Sequence, residues 1–337
     1  MNTMKILGRG LLVLAIGVSA VSVDAATIKI ATVVPDGTAW MREMRAAGDA
    51  IKTKTDGRVE IKYYPGGVMG DSATVLRKIK IGQLQGGAFT GGEASIITRD
   101  AQIYSLPFMF RNEAEIDKVR AKLDPLLKQE FAAQGFSLLG ITGGGFAYLM
   151  STRDLKTRDD LKAAKVWVPQ GDKIDELAFK AGGVTPIPLP LADVYTGLQT
   201  GLVDTAANTP SGAIAFQWHT KLKHMVDLPL TYVVGEFVVD KKAIDALSAA
   251  DQKTADDEFR AGFARLEKIN RSDNAAARDA LKQQGISINP VDAADRKSWE
   301  AIGSEVFKQL SDSAALSPGM VKALTAALAE VRGGAAQ

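Results

Sequence analysis

The order strand, helix, strand, helix, strand occurs twice along this chain, each time with a Pro-x-Gly turn after the first strand. In the first unit Thr27–Thr32 alternates in hydropathy. Pro35-Asp36-Gly37 turns, and apolar Trp40, Met44, Ala47 and Ile51 then recur at helical spacing. Arg58–Tyr64 alternates again, a helix from about Ser72 carries Val75, Leu76 and Ile79, and Gly86–Thr90 is a short apolar strand. In the second unit Lys165–Val168 is the first strand and Pro169-Gln170-Gly171 the turn. A helix with Ile174, Leu177, Ala178 and Ala181 follows, ended by Gly182-Gly183. Val184–Leu189 is the next strand, and its prolines at 186 and 188 suit an edge. A helix from Ala192 to Thr200 and a strand to about Ala207 complete the unit. This order predicts parallel strands joined by right-handed crossovers. Laid over one another, the units pair Val33 with Trp167 and Phe89 with Asn208.

Two such lobes facing one another enclose a cleft, and ligands of open parallel sheets sit beyond the carboxyl ends of the strands. Trp167 lies near the end of the first strand of its lobe and Asn208 at the end of the third, so both are expected near the cleft. Gly143–Met150 and Thr231–Val239 read as segments crossing between lobes, and Ala249–Gln284 as one helix about 50 Å long, able to brace both. The expected fold is α/β and two-lobed, of the periplasmic-binding-protein type II, with two parallel or mixed sheets. Residues 26–148 with about 235–265 form one lobe, and 149–234 with about 266–337 the other.

The chain of 337 residues is long enough for two domains, and its formal charge of +2 points to no polyanionic partner. No basic stripe interleaves with aromatics, so no nucleic-acid site is expected. Lys5 and Arg9, the apolar run Leu11–Val23 and small residues at Val23-Asp24-Ala25 read as a secretory leader cleaved near Ala25. The absence of cysteine excludes disulfides, thiolate catalysis and a lipid-modified cysteine. His219 and His224, the only histidines, are not spaced as a zinc pair, and no metal or cofactor is expected. The glycine runs Gly86-Gly87, Gly91-Gly92 and Gly143–Gly145 lack phosphate-loop spacing and read as hinge or close-packing glycines.

Ser151-Thr-Arg153, Asp160-Leu161-Lys162, Val168-Pro169, Tyr195, Leu198-Gln199-Thr200, Asp204 and Asn208 form an ordered set. With Tyr64-Pro65, Gly70 and Leu106-Pro107-Phe108, it resembles the solute receptors of tripartite ATP-independent periplasmic (TRAP) transporters. The resemblance covers essentially all of the mature chain. It implies a periplasmic receptor, not an enzyme, that closes on a small molecule and delivers it to ion-gradient-driven permease subunits. It also implies that Asn208 hydrogen-bonds the ligand and that Arg153 is structural. The chain is expected to act as a monomer.

Trp167 departs from that pattern, standing where the family usually places an arginine that clamps a carboxylate. A guanidinium binds a carboxylate through two charge-assisted bonds, whereas indole offers one N–H and an apolar face. Ala147 stands where some acidic-sugar receptors have a second arginine, and Thr90 and Val33 where more polar residues are usual. The expected lining is Trp167, Asn208, Phe89, Thr90, Phe146, Tyr148, Leu191 and Val33, and the expected ligand is larger, more hydrophobic or neutral rather than a small dicarboxylate. The alternatives are a periplasmic hydrolase or lyase on a similar scaffold, and a hydrophobic-ligand receptor working with a tetratricopeptide-repeat partner.

Overall fold

The computed structural model describes residues 25–313 and 315–333. The expected leader, apart from Ala25, lies outside the described residues. The strands are β1 (Ala26–Thr32), β2 (Val59–Tyr64), β3 (Gly86–Thr90), β4 (Phe136–Ser151), β5 (Trp167–Pro169), β6 (Ile187–Leu189), β7 (Thr205–Asn208), β8 (His224–Asp240) and β9 (Ser287–Asn289). The helices are α1 (Ala39–Lys54), α2 (Ser72–Lys80), α3 (Gly91–Ala94), α4 (Glu113–Ala133), α5 (Lys173–Ala181) and α6 (Val194–Thr200). They continue as α7 (Pro210–Ala215), α8 (Lys241–Asp245), α9 (Ala249–Gln283), α10 (Ala293–Asp312) and α11 (Pro318–Gly333).

The fold is α/β, built on a mixed sheet of order β2-β1-β3-β8-β4-β7, with β9 also pairing β8. In the first lobe β1 lies parallel between β2 and β3, as the βαβ pattern predicts. In the second, β5 and β6 form a separate parallel pair tied to β7 by a single bridge, Val166 to Thr205. β6, with Pro188 at its centre, has β5 as its only strand partner among the described residues, the edge position its prolines allow.

β4 and β8 run antiparallel through both lobes, with β3 against one half of β8 and β9 against the other. The two expected crossing segments are therefore parts of two long strands. Their register slips four times between Leu138 and Met150, including across Gly143–Gly145, so the ribbon is bent where it passes between lobes. Gly145 has a φ of +101°, which a side chain would strain.

The helices form where amphipathic stripes and caps coincide. In α1 the Oγ1 of Thr38 accepts from the Met41 N–H, and Met41, Met44, Ala47 and Ile51 are buried. Trp40, expected within that stripe, lies half-buried at its flank. α9 is 35 residues long, packs on α1, β4 and α7, and spans both lobes. The sequence reading lacks α3, α4, α7, α8, β9 and the first parts of β4 and β8. α4 starts at an Asn112 cap and holds Pro125 in its interior, a residue that usually argues against a helix there. Among the described residues no helix is long and apolar enough to cross a membrane.

Candidate functional site

A cavity of about 600 Å³ opens between the lobes, a size suited to a small organic molecule. Its lining is mostly apolar and comes from the ends of β1 and β3, the bent middle of β4 and β8, β5, β7, α7 and α9.

Six of the eight expected residues line it: Val33, Phe89, Thr90, Trp167, Leu191 and Asn208. Phe146 and Tyr148 do not. Successive residues of a strand face opposite sides of the sheet, and on β4 it is Ala147 that faces the cavity. Phe146 packs edge-on against Tyr232, with ring centroids 5.1 Å apart, and Tyr148 lies beneath the Arg278 guanidinium. The expectation for these two aromatics is corrected accordingly.

Trp167 is the first residue of β5, a strand that starts two residues later than expected, and is only 5% exposed. Its ring meets Trp218 edge-on at 5.3 Å, within a cluster that includes Met150, Val194 and Leu198. Its Nε1–H donates to the Leu189 carbonyl at 3.0 Å. The one polar group of the indole is therefore occupied, and Trp167 presents an apolar edge to the cavity. Trp218, 1% exposed, packs beneath it.

Asn208 ends β7. Its Oδ1 accepts from the Thr209 N–H at 2.8 Å, the usual role of an asparagine at a turn. Its Nδ2 makes no hydrogen bond among the described residues. Thr90 caps α3, and its hydroxyl is committed to Glu93. Thr231, opposite Ala147 on β8, carries a buried Oγ1 with no partner among the described residues.

Sequence reasoning missed several lining residues. Trp40 and Phe216 add aromatic wall, and Asp172, Asp175 and Asp273 add acid. Asp172 carried a recognisable signal, a carboxylate immediately before the first turn of α5, two residues ahead of buried Ile174. Its Oδ1 accepts from the N–H groups of Ile174 and Asp175 at 3.1 and 3.0 Å. Burial pushes its carboxyl up to about 6 against those bonds, and the charges of Glu176 and Glu93 add to the rise. Asp175, half-buried beside it, is pushed well above the usual carboxylate range by burial and by Asp172.

Other motif residues build the frame. Arg153 donates to the Ala163 carbonyl and lies 3.8 Å from Asp204, which in turn accepts the Lys165 N–H. That is the structural role the resemblance implied. Among the described residues no group of histidines and carboxylates is arranged to hold a metal ion.

The family model for bacterial extracellular solute-binding protein, family 7, matches residues 30–313. A C4-dicarboxylate-binding periplasmic protein of Rhodobacter capsulatus is 24% identical over 325 residues, 95% of this chain and 97% of its own length. An ectoine/5-hydroxyectoine-binding periplasmic protein of Ruegeria pomeroyi is 28% identical over 58% of each chain. Among solved structures, a TRAP periplasmic solute-binding protein of Desulfovibrio salexigens with bound orotic acid superposes with a TM-score of 0.84 at 21% identity. It covers 91% of this chain and 99% of its own. One from Shewanella oneidensis with bound succinate gives 0.84 at 19%, over 90% and 99%. At these identities the superpositions show the fold.

Proposed function

The chain belongs to the bacterial extracellular solute-binding proteins of family 7, and we propose that its solute is not a small dicarboxylate. Proteins of this family are periplasmic transport receptors, not enzymes, and work with membrane permease components. The hydrolase or lyase alternative is set aside on that ground.

The observation that carries the ligand reading is the state of the cavity's polar groups. Trp167 replaces the usual arginine and its N–H is bound to Leu189. The cation in the lining is Arg42, an exposed side chain at the rim whose Nη1 already donates to Gly37. A carboxylate moved from water into this cavity would lose its hydration with little in exchange, a cost of several kcal/mol. Neutral polar contacts from Asn208 Nδ2 and Thr231 Oγ1, with Phe89, Leu191, Val33 and the Trp167 edge as apolar surface, suit a larger and less charged molecule. In this reading the lobes are 26–148 with about 235–265, and 149–234 with about 266–337. They close on the solute, and the loaded form docks on the permease.

Calorimetric titration with succinate and malate tests the reading. Neither is expected to bind with a Kd below about 1 mM, near the weak limit of useful affinity. Micromolar binding of either overturns it.

A further inference from the structure

We infer that the solute carries a positively charged nitrogen, a protonated amine or a quaternary ammonium, seated between the Asp172–Asp175 carboxyls and the aromatic wall. This rests on the receptor reading above and names the chemistry of the same cleft.

The charge around the cavity is lopsided. Arg42 is opposed by Glu93, Asp172, Asp175 and Asp273. Arg42 and Asp273 are exposed at the rim. Glu93 is spoken for: it accepts from the N–H and hydroxyl of Thr90 and from the Ser72 hydroxyl. The other two differ. Asp172 is 4% exposed, and although its Oδ1 caps α5, its Oδ2 takes no hydrogen bond among the described residues. Asp175 has neither a hydrogen bond to its carboxyl nor an ion pair among them.

Two adjoining acids in a pocket, one of them almost wholly buried and neither paired with a cation, are expensive as charges and of little use as neutral groups. A cationic solute resolves that cost, whereas an anionic one is repelled. Their raised pKa values fit this arrangement: burial without a counter-cation disfavours the charged form of both carboxyls. Trp40, Phe89 and Phe216 line the same space, and the face of such a ring attracts an ammonium where it would repel a carboxylate.

The position also explains how binding couples to closure. A Cβ on Gly92 would stand 2.0 Å from Asp172 Oδ2, so this carboxylate of the second lobe rests on the backbone of the first. A cation held there lies at the contact between the lobes, where its attraction favours the closed form.

Calorimetry with matched pairs tests the inference: choline against its isostere with carbon in place of nitrogen, glycine betaine against the corresponding uncharged-headed acid, and phenethylamine against phenylacetate. At least one cationic member is expected to bind about tenfold or more tightly than its counterpart. Asp172→Asn, which keeps the helix cap, and Asp175→Asn are each expected to weaken that member about tenfold without lowering Tm. Equal or tighter binding of the uncharged or anionic member, with the cations failing, overturns the cationic assignment and leaves the receptor reading intact. Cation affinity unchanged in both variants also overturns the assignment. If no member of the panel binds, the solute released on denaturing the purified protein decides: a basic nitrogen in it supports the inference, and its lack overturns it. Release of no solute at all, with no probe bound, overturns both readings.

Discussion

Trp167 does two jobs, and packing dominates. The side chain that removes the usual clamp is also a core residue, packed edge-on against Trp218 and hydrogen-bonded to Leu189. Trp167→Phe is therefore expected to cost about 1–2 kcal/mol through the lost bond, read as a shift in a urea melt, while changing solute affinity less than tenfold. A hundredfold loss of affinity would show that the indole N–H serves the solute. Asp172 makes a second prediction at this scale. Its native carboxyl titrates near 6, above the ordinary 3.8, so the folded state holds the proton more tightly than the unfolded chain does. The stability this contributes is present at low pH and is lost as pH rises from about 4 through about 6. The groups facing it, Glu176 and Asp175 on its own helix and Glu93 on α3, are all acids and add no opposing charge. In solute-free protein, Asp172→Asn is expected to flatten that slope and raise Tm at pH 7 by ~2 °C; an unchanged Tm–pH curve would count against it.

Among the elements, β4 and α9 set how the lobes meet. Three side chains of α9 grip the bent glycine run: Glu267 accepts the Gly143 N–H at 2.8 Å, Asn270 donates to the Gly143 carbonyl at 2.8 Å, and Asn274 donates to that of Gly144. A Cβ at Gly145 would come within 2.5 Å of Asn274 Nδ2 at a φ only glycine adopts easily. Gly145→Ala is thus expected to cost about 2–3 kcal/mol in thermal or urea melts. Gly92→Ala blocks the seat of Asp172 instead, and should lower solute affinity about tenfold by disfavouring the closed form while leaving the solute-free Tm within ~1 °C. Affinity unchanged by Gly92→Ala would mean the lobes do not meet there in the bound state. These glycines were legible in the sequence as close-packing positions, because no phosphate-loop spacing explained them. The strands around them were less so. α4 hides behind an internal proline, and β4 starts seven residues earlier than its glycine-rich centre suggests. The side to which Phe146 and Tyr148 turn depends on bulges that period-two alternation does not reveal.

For the whole molecule, two long strands and a 35-residue helix pass through both lobes. Both lobes are built on the one large sheet that contains β4 and β8, so the solute-free protein is expected to unfold in one calorimetric transition; two resolved transitions would contradict this. The architecture was readable because a repeated strand–helix order and helical stripes are local signals. The cavity's acids were not, since Asp172 reads as an ordinary cap and Asp175 as a first-turn helix charge until the lobes are brought together. What the cleft receives is tested most directly by mass spectrometry of the small molecules freed when the purified protein is denatured. The account predicts one intact organic solute, near one per chain, that is not a C4 dicarboxylate. Succinate, malate or fumarate at that stoichiometry would contradict it.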